Sequence, residues 1–510
     1  TNKTLQPERN MVWGSGGFKS CKGLLDRVEN NDPNLEELVI LPMKTFGAVE
    51  VERLADILSS GKNKVLKSIS ASGHSIPAPS LKRLGIALAK QTYSSDDTRT
   101  SSNLCGIAIG DEHMGDEGVE ALCMPLEAVN GGLLEKIDLG FKNISTTGAA
   151  AIGKVFGQSR NIKEIEMYRN PSIGDEGIIA FSSSVAAGAE VIAEEKIRPF
   201  ESLEIFDISE CNIGEEGINA LVDCLVQNEG NMARSTLLHL NASMNPLGPE
   251  ACPSLGKLVS TNTVNKLSLR ECSLGSQGVL SLVEAFKVGS NPCQASVLDL
   301  AKNEICTEGA IGLASVLKLN VELVELILAN NPIGNDGVLA IANALNKNRD
   351  LSNSSGDASV PIRRTLDLSG TECGIEGAVA IIKCQTLASI RLFNNNLGSK
   401  GFESIAPLLE GGHLTLEHLD LGGNRAEEHA VVALIKALMV KNEPDVSKLK
   451  TIELGGNEVG DDVERLLKEL EVIRPDLDVA RDKPSVEQPN EFPNQIPGRP
   501  SINAETKTRD

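Results

Sequence analysis

The sequence predicts an α/β solenoid, in which one short strand and one helix alternate and stack into a parallel sheet covered by helices. Three observations carry this prediction: apolar residues spaced three and two apart, a polar turn, and then apolar residues at helical spacing. Residues 323–345, LVELILANNPIGNDGVLAIANAL, show all three in one unit. Neither half of such a unit buries its apolar side alone, so copies must stack.

The strand pattern recurs fourteen times, and most copies begin 28 to 33 residues after the previous one. The copies open at Leu35, Leu66, Leu104, Leu134, Ile162, Leu203, Leu237, Val264, Ala295, Leu323, Arg363, Leu387, Leu416 and Leu449. The two outermost copies and the one that opens at Arg363 are the least regular. Short connections between strand and helix require parallel strands with right-handed crossovers.

The turn after each strand is as periodic as the strand itself. One position is held by Asn170, Asn245, Asn303, Asn331, Asn395, Asn424 and Asn457, and by Cys211 and Cys272 in two further copies. We expect the side chain there to satisfy backbone groups where the strand ends. Glycine recurs in the first helical turn, for example Gly148 and Gly217, which lets each helix begin close to its neighbour's backbone.

This pattern, LxxLxLxxN/CxIGxxG followed by a helix, resembles the leucine-rich repeat family over roughly residues 35–472. The subtype it resembles is the ribonuclease-inhibitor-like form shared with Ran GTPase-activating proteins and NLR receptor arrays. The resemblance implies a horseshoe-shaped solenoid of about 14 repeats, with a parallel concave sheet and convex helices. We predict a protein-binding scaffold or a subunit of a larger assembly that recognises its partner through the preformed concave surface.

The pattern divides the chain into an N-terminal cap (1–33), the repeat array (34–473) and a proline-rich tail (474–510) that we expect to be extended or disordered. Residues 21–28 are predicted to form a capping helix. Three inserts interrupt the array: polar loops at 91–103 and 346–361, and an extended helix with a charged end at 186–200. Inserts of this kind either carry function or are tolerated surface loops.

Composition narrows the class of partner and the compartment. The formal charge is 49 − 70 = −21, which argues against nucleic acid and favours a basic protein partner. No apolar run approaches the ~18 residues of a membrane span. The eleven cysteines are scattered singly, so we expect a reducing, intracellular compartment, most simply the cytoplasm. The chain starts with Thr, so import into an organelle after leader cleavage is the alternative.

No catalytic, cofactor or metal motif is present, and we therefore predict a non-enzymatic protein. His413 and His418 are interpreted as surface and strand residues rather than metal ligands. The alternative from a different class is a GTPase-activating protein of the Ran type. In that family an arginine from an early loop acts in catalysis, and Arg169 is the nearest candidate, although the family's distinctive segment and acidic tail are missing. An NLR sensor fragment is disfavoured because no nucleotide-binding module is present.

The candidate binding site lies on the face of the sheet that points away from the helices. The residue between the last two strand leucines projects there, and seven of the fourteen are acidic. Because neighbouring strands are only ~4.8 Å apart, we predict a coupled negative ridge from Asp138, Glu166 and Asp207. Alternatively, aspartate at this position is simply a solvated strand residue. Nearby aromatic and charged side chains favour binding: Phe141, Glu164, Tyr168, Arg169 and Glu210.

A second, more basic cluster follows one or two repeats further on, at His239, Met244, Lys266 and Arg270. Arg391, between Asp367 and Asp420, is expected to neutralise a second acidic group. The two clusters together predict a face zoned in charge that holds a basic segment of one extended protein partner. The sequence carries no signal for the oligomeric state or for the identity of that partner.

Overall fold

The computed structural model describes residues 20–91, 104–191, 202–226, 237–260, 264–288, 295–318, 323–354, 364–410, 415–440 and 448–481. These residues divide into two compact units. Unit 1 contains residues 20–91, 104–170 and 183–191. Unit 2 contains residues 171–182 and the described residues from 202 to 481.

Each unit alternates short strands with helices, as the spacing predicts. The elements of unit 1 are α1 (Lys22–Glu29), β1 (Glu37–Val39), α2 (Ala48–Ser59), β2 (Ser68–Ser72), α3 (Ala78–Ala89), β3 (Gly106–Gly110), α4 (Gly115–Glu127), β4 (Lys136–Asp138), α5 (Thr146–Gln158) and β5 (Glu164–Glu166). Helix α6 (Gly174–Val191) contributes residues to both units.

Unit 2 continues the same order. Its elements are β6 (Ile205–Asp207), α7 (Glu215–Val226), β7 (His239–Asn241), a 3₁₀ turn (Pro249–Ala251), α8 (Cys252–Ser260), β8 (Lys266–Ser268), α9 (Gly275–Val288), β9 (Val297–Asp299), α10 (Thr307–Leu317), β10 (Glu325–Ile327), α11 (Gly334–Ser354), β11 (Arg364–Asp367), α12 (Gly374–Ile382), β12 (Leu387–Arg391), α13 (Gly398–Glu410), β13 (His418–Asp420), α14 (Glu428–Met439), β14 (Thr451–Glu453), α15 (Asp461–Ile473) and β15 (Asp478–Ala480).

Within each unit the strands pair in parallel with their neighbours in chain order. The central leucine position of each strand is buried against the helices, as for Leu38, Leu267 and Leu419. Residues on either side of it face away from the helices. We call this side of each sheet its open face. The fold class predicted from the sequence, an α/β repeat solenoid, is therefore confirmed.

The recurring asparagine closes each turn by hydrogen bonds to two repeats. Asn170 Oδ1 accepts the backbone N–H groups of Lys142 (2.9 Å) and Ile144 (3.0 Å), both in the preceding repeat. Its Nδ2 donates to the carbonyl groups of Leu139 (3.0 Å) and Met167 (2.8 Å). This side chain thus satisfies buried backbone groups that the short strands leave unpaired, as expected from the sequence.

The glycine of the first helical turn makes room for a side chain that caps the helix. Asp116 Oδ1, from the preceding repeat, accepts the N–H groups of Ser145 (2.8 Å) and Gly148 (3.0 Å) at the start of α5. A Cβ atom on Gly148 would lie 2.5 Å from that oxygen. Asp175 caps α7 in the same way through Gly214 and Gly217. The close approach is therefore to a capping carboxylate, a detail that the sequence did not reveal.

Three features concern the predicted boundaries. Helix α1 occupies the segment where a capping helix is expected, and β15 adds a strand within the segment assigned to the tail. Helix α11 runs on to Ser354, into the predicted loop at 346–361, because neither Pro nor Gly interrupts it before Gly356. Residues 92–103, 192–200, 355–361 and 482–510, which hold the rest of the inserts and tail, lie outside the described residues.

None of the described helices is both long and apolar enough to cross a bilayer.

The copy that opens at Arg363 is irregular in the structure as well. Strand β11 shifts register between Arg364 and Thr365, and the buried Arg364 side chain donates from Nε to the Leu323 carbonyl (2.9 Å). Arg363 itself lies outside the described residues.

Candidate partner-binding site

The open face of unit 1 carries a cluster of charged side chains on β4 and β5. Lys136 is aligned with Glu164, and Asp138 with Glu166, so all four project from the same face. Lys136 Nζ donates to Glu164 Oε1 and to Glu166 Oε1, each at 2.7 Å. One lysine therefore bridges two carboxylates on the neighbouring strand.

Asp138 is held at the C-terminal end of β4 by its own turn. Its Oδ1 accepts the backbone N–H of Gly140 (2.9 Å), and only 4% of the residue is exposed. A second lysine, Lys142, is 3% exposed and occupies the position that asparagine holds in other repeats. Lys142 Nζ donates to the Gly140 carbonyl at 2.7 Å and lies 3.5 Å from Ser72 Oγ. A buried cation thus accompanies the buried carboxylate.

The electrostatics show that this cluster is short of positive charge. Burial and the charge of Asp138 raise the pKa of Glu166 to about 8, although Lys136 opposes them. Burial raises the pKa of Asp138 against the influence of Lys142, and burial lowers the pKa of Lys142. Three carboxyl groups share two lysines in a poorly solvated place. An added cation would therefore stabilise the ionised form of Glu166.

Two aromatic residues border the charged cluster. The Tyr168 ring packs on Gly140, where a Cβ atom would lie 2.3 Å from ring carbons. Phe141 is 54% exposed, and its backbone N–H donates to the Tyr168 carbonyl (2.8 Å). Phe141 has a φ of 58°, in the left-handed region that disfavours bulky residues. Equivalent turns hold Gly370 and Gly423 there, so the backbone does not require a phenylalanine.

The structure brings together one group of the predicted residues in unit 1: Asp138, Phe141, Glu164, Glu166, Tyr168 and Arg169. Arg169 lies in the turn after β5 with a φ of 55°, the same backbone position that Phe141 takes after β4. The remaining predicted residues belong to unit 2: Asp207, Glu210, His239, Met244 and Arg270. The residues of the predicted ridge therefore fall into two groups, one in each unit.

Asp207 in unit 2 is part of a hydrogen-bonded turn rather than a free surface charge. Its Oδ1 accepts from the Ser209 N–H (2.9 Å) and hydroxyl (2.6 Å), and its Oδ2 accepts from Asn241 Nδ2 (3.1 Å). Asp299, Asp367 and Asp420 each accept the N–H two residues further on in the same way. The aspartate between the strand leucines thus has a repeated structural role, which neither interpretation drawn from the sequence included.

The second predicted cluster is assembled on β7, β8 and the turns after them. His239 is aligned with Lys266, and His239 Nε2 lies 3.0 Å from Ser268 Oγ. Burial and the charge of Lys266 lower the pKa of His239 to about 3. Met244 is 42% exposed, and its N–H donates to the Arg270 carbonyl (2.7 Å). Arg391 Nη1 lies 3.7 Å from Asp367 Oδ2, close to the neutralising place expected for it.

Sequence reasoning missed Lys136 and Lys142. Lys136 could have been found, because it lies two residues before Asp138 and strand side chains alternate. Lys142 could have been noticed as the residue that replaces asparagine in the turn. Among the described residues no group of three or more His, Cys, Asp or Glu side chains is arranged to hold a metal ion. None of the ten cysteines in the described residues forms a disulfide.

Comparisons with known proteins agree with the repeat. A family profile described as "Leucine Rich repeat" matches residues 158–182, 201–222 and 320–342. Mouse ribonuclease inhibitor is 23% identical over 433 residues, which cover 79% of this chain and 86% of that protein. Mouse "NACHT, LRR and PYD domains-containing protein 12" is 25% identical, covering 76% of this chain but 34% of that protein. A solved structure, "Rad7 and Elc1 complex in yeast", aligns over 90% of this chain and 93% of its own with 13% identity and a TM-score of 0.42.

The stacked strand–helix units, the asparagine turns and the profile match define the class of fold, which is an array of leucine-rich repeats. The repeats are similar to those of ribonuclease inhibitor over most of the chain. Proteins of this class commonly act by binding other proteins.

Proposed function

We propose that this chain is a non-enzymatic protein-binding scaffold, or the subunit of a larger assembly, and that it recognises a basic segment of a protein partner. The recognition surface is the open face of unit 1 at β4 and β5. The observation that carries the proposal is the group of three carboxyl groups and two lysines on β4, β5 and the turn after β4, the same turn that exposes the ring of Phe141.

The charge argument gives the partner its chemistry. A lysine or arginine side chain placed beside Glu164 and Glu166 would complete the charge balance that Lys136 alone does not reach. Since one pKa unit corresponds to about 1.4 kcal/mol, lowering the pKa of Glu166 towards its ordinary value contributes to binding. Binding should therefore release a proton near neutral pH and tighten as the pH rises towards 8.

Phe141 supplies the apolar contact. A bulky residue in the left-handed region costs on the order of 1 kcal/mol, and an exposed aromatic ring gains nothing from burial in the free protein. An exposed aromatic ring is a residue type enriched in binding hot spots, and this supports contact with a partner. The surface is preformed, because Tyr168 and Gly140 fix the turn that presents the ring.

The relatives support a protein as the partner. The name of the mouse ribonuclease inhibitor says that this relative acts on a ribonuclease, which is itself a protein. The compartment that goes with this proposal is the reducing, cytoplasmic one expected from the scattered single cysteines of the sequence. The alternative, GTPase activation through Arg169, gains no separate support from the described residues.

The test uses Phe141→Gly, because equivalent turns already hold glycine, as at Gly370 and Gly423, and the fold should tolerate it. The matched control is Lys302→Gly, which removes a long exposed side chain from the equivalent turn of unit 2 (φ 55°). Partners captured from a native extract by the wild-type chain are identified by mass spectrometry, and their affinities are then measured by calorimetry in two buffers of different ionisation enthalpy.

We expect Phe141→Gly to weaken the partner at least tenfold and Lys302→Gly to leave it unchanged. Glu166→Gln should abolish the proton release and weaken the dependence of affinity on salt. Retention of the same affinity by both Phe141→Gly and Glu166→Gln would overturn the proposal and move the interface elsewhere. Charge reversal at Asp138 is unsuitable, because it would place a new cation in a buried turn.

A further inference from the structure

A pocket lies at the opposite ends of the strands, among the three helix-to-strand turns that follow α3, α4 and α5 in unit 1. Its volume is about 270 Å³, and its lining includes Gln91, Val129, Leu133, Gln158, Arg160 and Asn161. Phe141 and Tyr168 follow the C-terminal ends of β4 and β5, whereas this pocket is at the N-terminal ends. It is therefore distinct from the surface proposed above.

Gln91 is the unusual residue of this pocket. The residue is 3% exposed, yet its side-chain Nε2 has no hydrogen-bond partner in the described part of the chain. An unsatisfied buried donor costs about 1–3 kcal/mol, so buried amides normally find a partner. A donor that lines a pocket and lacks an acceptor points to an acceptor on a ligand.

The walls of the pocket are fixed rather than collapsible. Asn161 Nδ2 donates to the Gly132 carbonyl (2.7 Å), which joins the turns after α4 and α5. Gly131 adopts a φ of 78°, and a Cβ atom there would lie 2.7 Å from Ser159 Oγ. Asn161 N–H also donates to Ser159 Oγ (3.2 Å). A site held in this way loses little ordering entropy when a ligand enters.

The charge of the lining favours an anion. Acidic residues outnumber basic ones by 70 to 49 in the whole chain, yet the described residues of the lining include Arg160 and neither Asp nor Glu. The C-terminal ends of the neighbouring helices carry partial negative charge, which opposes a small anion. An anionic group therefore needs additional apolar contact, which Val129 and Leu133 provide.

We propose that this pocket binds a carboxylate carried on a small apolar body, with one oxygen accepting from Gln91 Nε2 and the charge facing Arg160. The apolar body rests against Val129 and Leu133. Two sources share this chemistry: a free small carboxylic acid and the C-terminal carboxylate of a peptide. The site is independent of the partner-binding surface, so either can fail without the other.

The experiment follows the methyl NMR signals of Val129 and Leu133 in the full chain. The probes are isobutyrate and N-acetyl-alanyl-valine, each compared with its neutral amide. Gln91→Leu replaces the amide donor by an apolar side chain of similar size. Because the lost donor has no partner, the substitution should not lower the unfolding midpoint. Arg160→Gln removes the exposed charge. Lys154→Gln is the control, because Lys154 is an exposed cation of α5 outside the lining.

We expect saturable shifts with the carboxylates, weakened about tenfold by Gln91→Leu and by Arg160→Gln and unchanged by Lys154→Gln. Tighter binding of the peptide would identify a peptide C-terminus, and equal or tighter binding of isobutyrate would identify a free acid. Absence of saturable shifts, equal binding of the neutral amides, or unchanged affinity in folded Gln91→Leu would each overturn the proposal.

Discussion

The two units close their strand-to-helix turns with different chemistry. In unit 2 the closing residue is most often asparagine, as at Asn245, Asn303 and Asn331, and it is neutral at every pH that proteins tolerate. In unit 1 the equivalent residues include His74, whose Nε2 lies 3.1 Å from the Ile40 carbonyl, and the buried Lys142. The turns of unit 2 are thus closed mostly by amide side chains, and those of unit 1 are closed in part by titratable side chains.

The difference follows from what each side chain can accept. Asparagine has both an acceptor and donors, so it bonds the turn of the preceding repeat as well as its own. Lysine has donors alone, and the turn before Lys142 closes without it. There, Asp111 Oδ1 accepts the His113 N–H (3.0 Å), and the Asp111 carbonyl accepts the Met114 N–H (3.1 Å). With lysine in place of the amide, the turn at Asp111 closes through its own hydrogen bonds. The following turn then contains the buried charge of Lys142.

The largest expected effect tests the amide version in unit 2. Asn331→Ala removes five buried hydrogen bonds, to the N–H groups of Asn303 and Ile305 and to the carbonyls of Leu300, Leu328 and Ala329. We expect the free energy of unfolding to fall by about 4 kcal/mol, because the backbone groups stay buried without partners. Urea denaturation followed by circular dichroism measures this.

The control for Asn331→Ala is Asn330→Gly, which changes an exposed neighbour with a φ of 57° and should alter stability by less than about 0.5 kcal/mol. A loss below about 1 kcal/mol for Asn331→Ala would show that water replaces the amide. The choice between an asparagine and a titratable side chain in the turn would then make little difference to the free energy of unfolding.

The next effect tests the lysine version in unit 1. Lys142→Met keeps the length and apolar character of the side chain but leaves the buried Asp138 without its cation. We expect a loss of about 3 kcal/mol at pH 7. Adding Asp138→Asn to Lys142→Met should recover part of the loss, since an amide needs no cation. An additive double variant would mean that the two residues do not interact.

The fold could be predicted well from the sequence because the same pattern recurs in many copies along the chain. Leucine spacing, turn asparagines and helical faces agree across the copies, and the structure confirms them. The burial of Asp138 and Glu166 was not predictable in the same way. A strand residue that points away from the helices appears solvated in the sequence, and only the strand register places Glu166 beside both Asp138 and Lys136. The orphaned amide of Gln91 depends on three turns that no local pattern connects.

The two open faces should also respond to pH in opposite directions. In unit 1 the pKa of Glu166 is raised to about 8, so the folded state binds this proton more tightly than the unfolded chain does. The resulting stability is complete below about pH 4.5 and is lost as the pH rises through 8. Glu166→Gln should therefore leave the unfolding midpoint near pH 4.5 almost unchanged and raise stability by about 2 kcal/mol at pH 8.

Urea titrations of the wild-type chain and Glu166→Gln at pH 4.5 and pH 8 measure this difference. The control is Glu112→Gln, which changes an exposed carboxylate in unit 1, the unit that contains Glu166. Glu428→Gln is unsuitable as a control, because the Glu428 carboxylate accepts a backbone N–H at the start of α15. An equal effect of Glu166→Gln at both pH values would show that Glu166 titrates normally. The charge argument for partner binding would then lose its basis.

The smallest expected effect lies in unit 2, where the sign is reversed. Burial and Lys266 lower the pKa of His239 to about 3, so the unfolded chain binds this proton more tightly than the folded state. The stability is complete above about pH 6.5 and is lost as the pH falls towards 3. His239→Gln keeps a polar group near Ser268 Oγ without this titration. It should raise stability by about 1 kcal/mol at pH 4 and change little at pH 7, because the half-buried ring is partly screened by solvent.

Hydrogen exchange of the amides in β7 and β8, compared with those in β4 and β5, assigns each pH response to its unit. Lys266→Gln should reduce the acid sensitivity of β7 and β8 while His239 is still present, because it removes the cation that opposes protonation of the ring. Protection in β4 and β5 should instead fall between pH 6 and 8 and respond to Glu166→Gln alone. If both regions lost protection over the same pH range, the titratable residues on the two open faces would not control the stability of their own units.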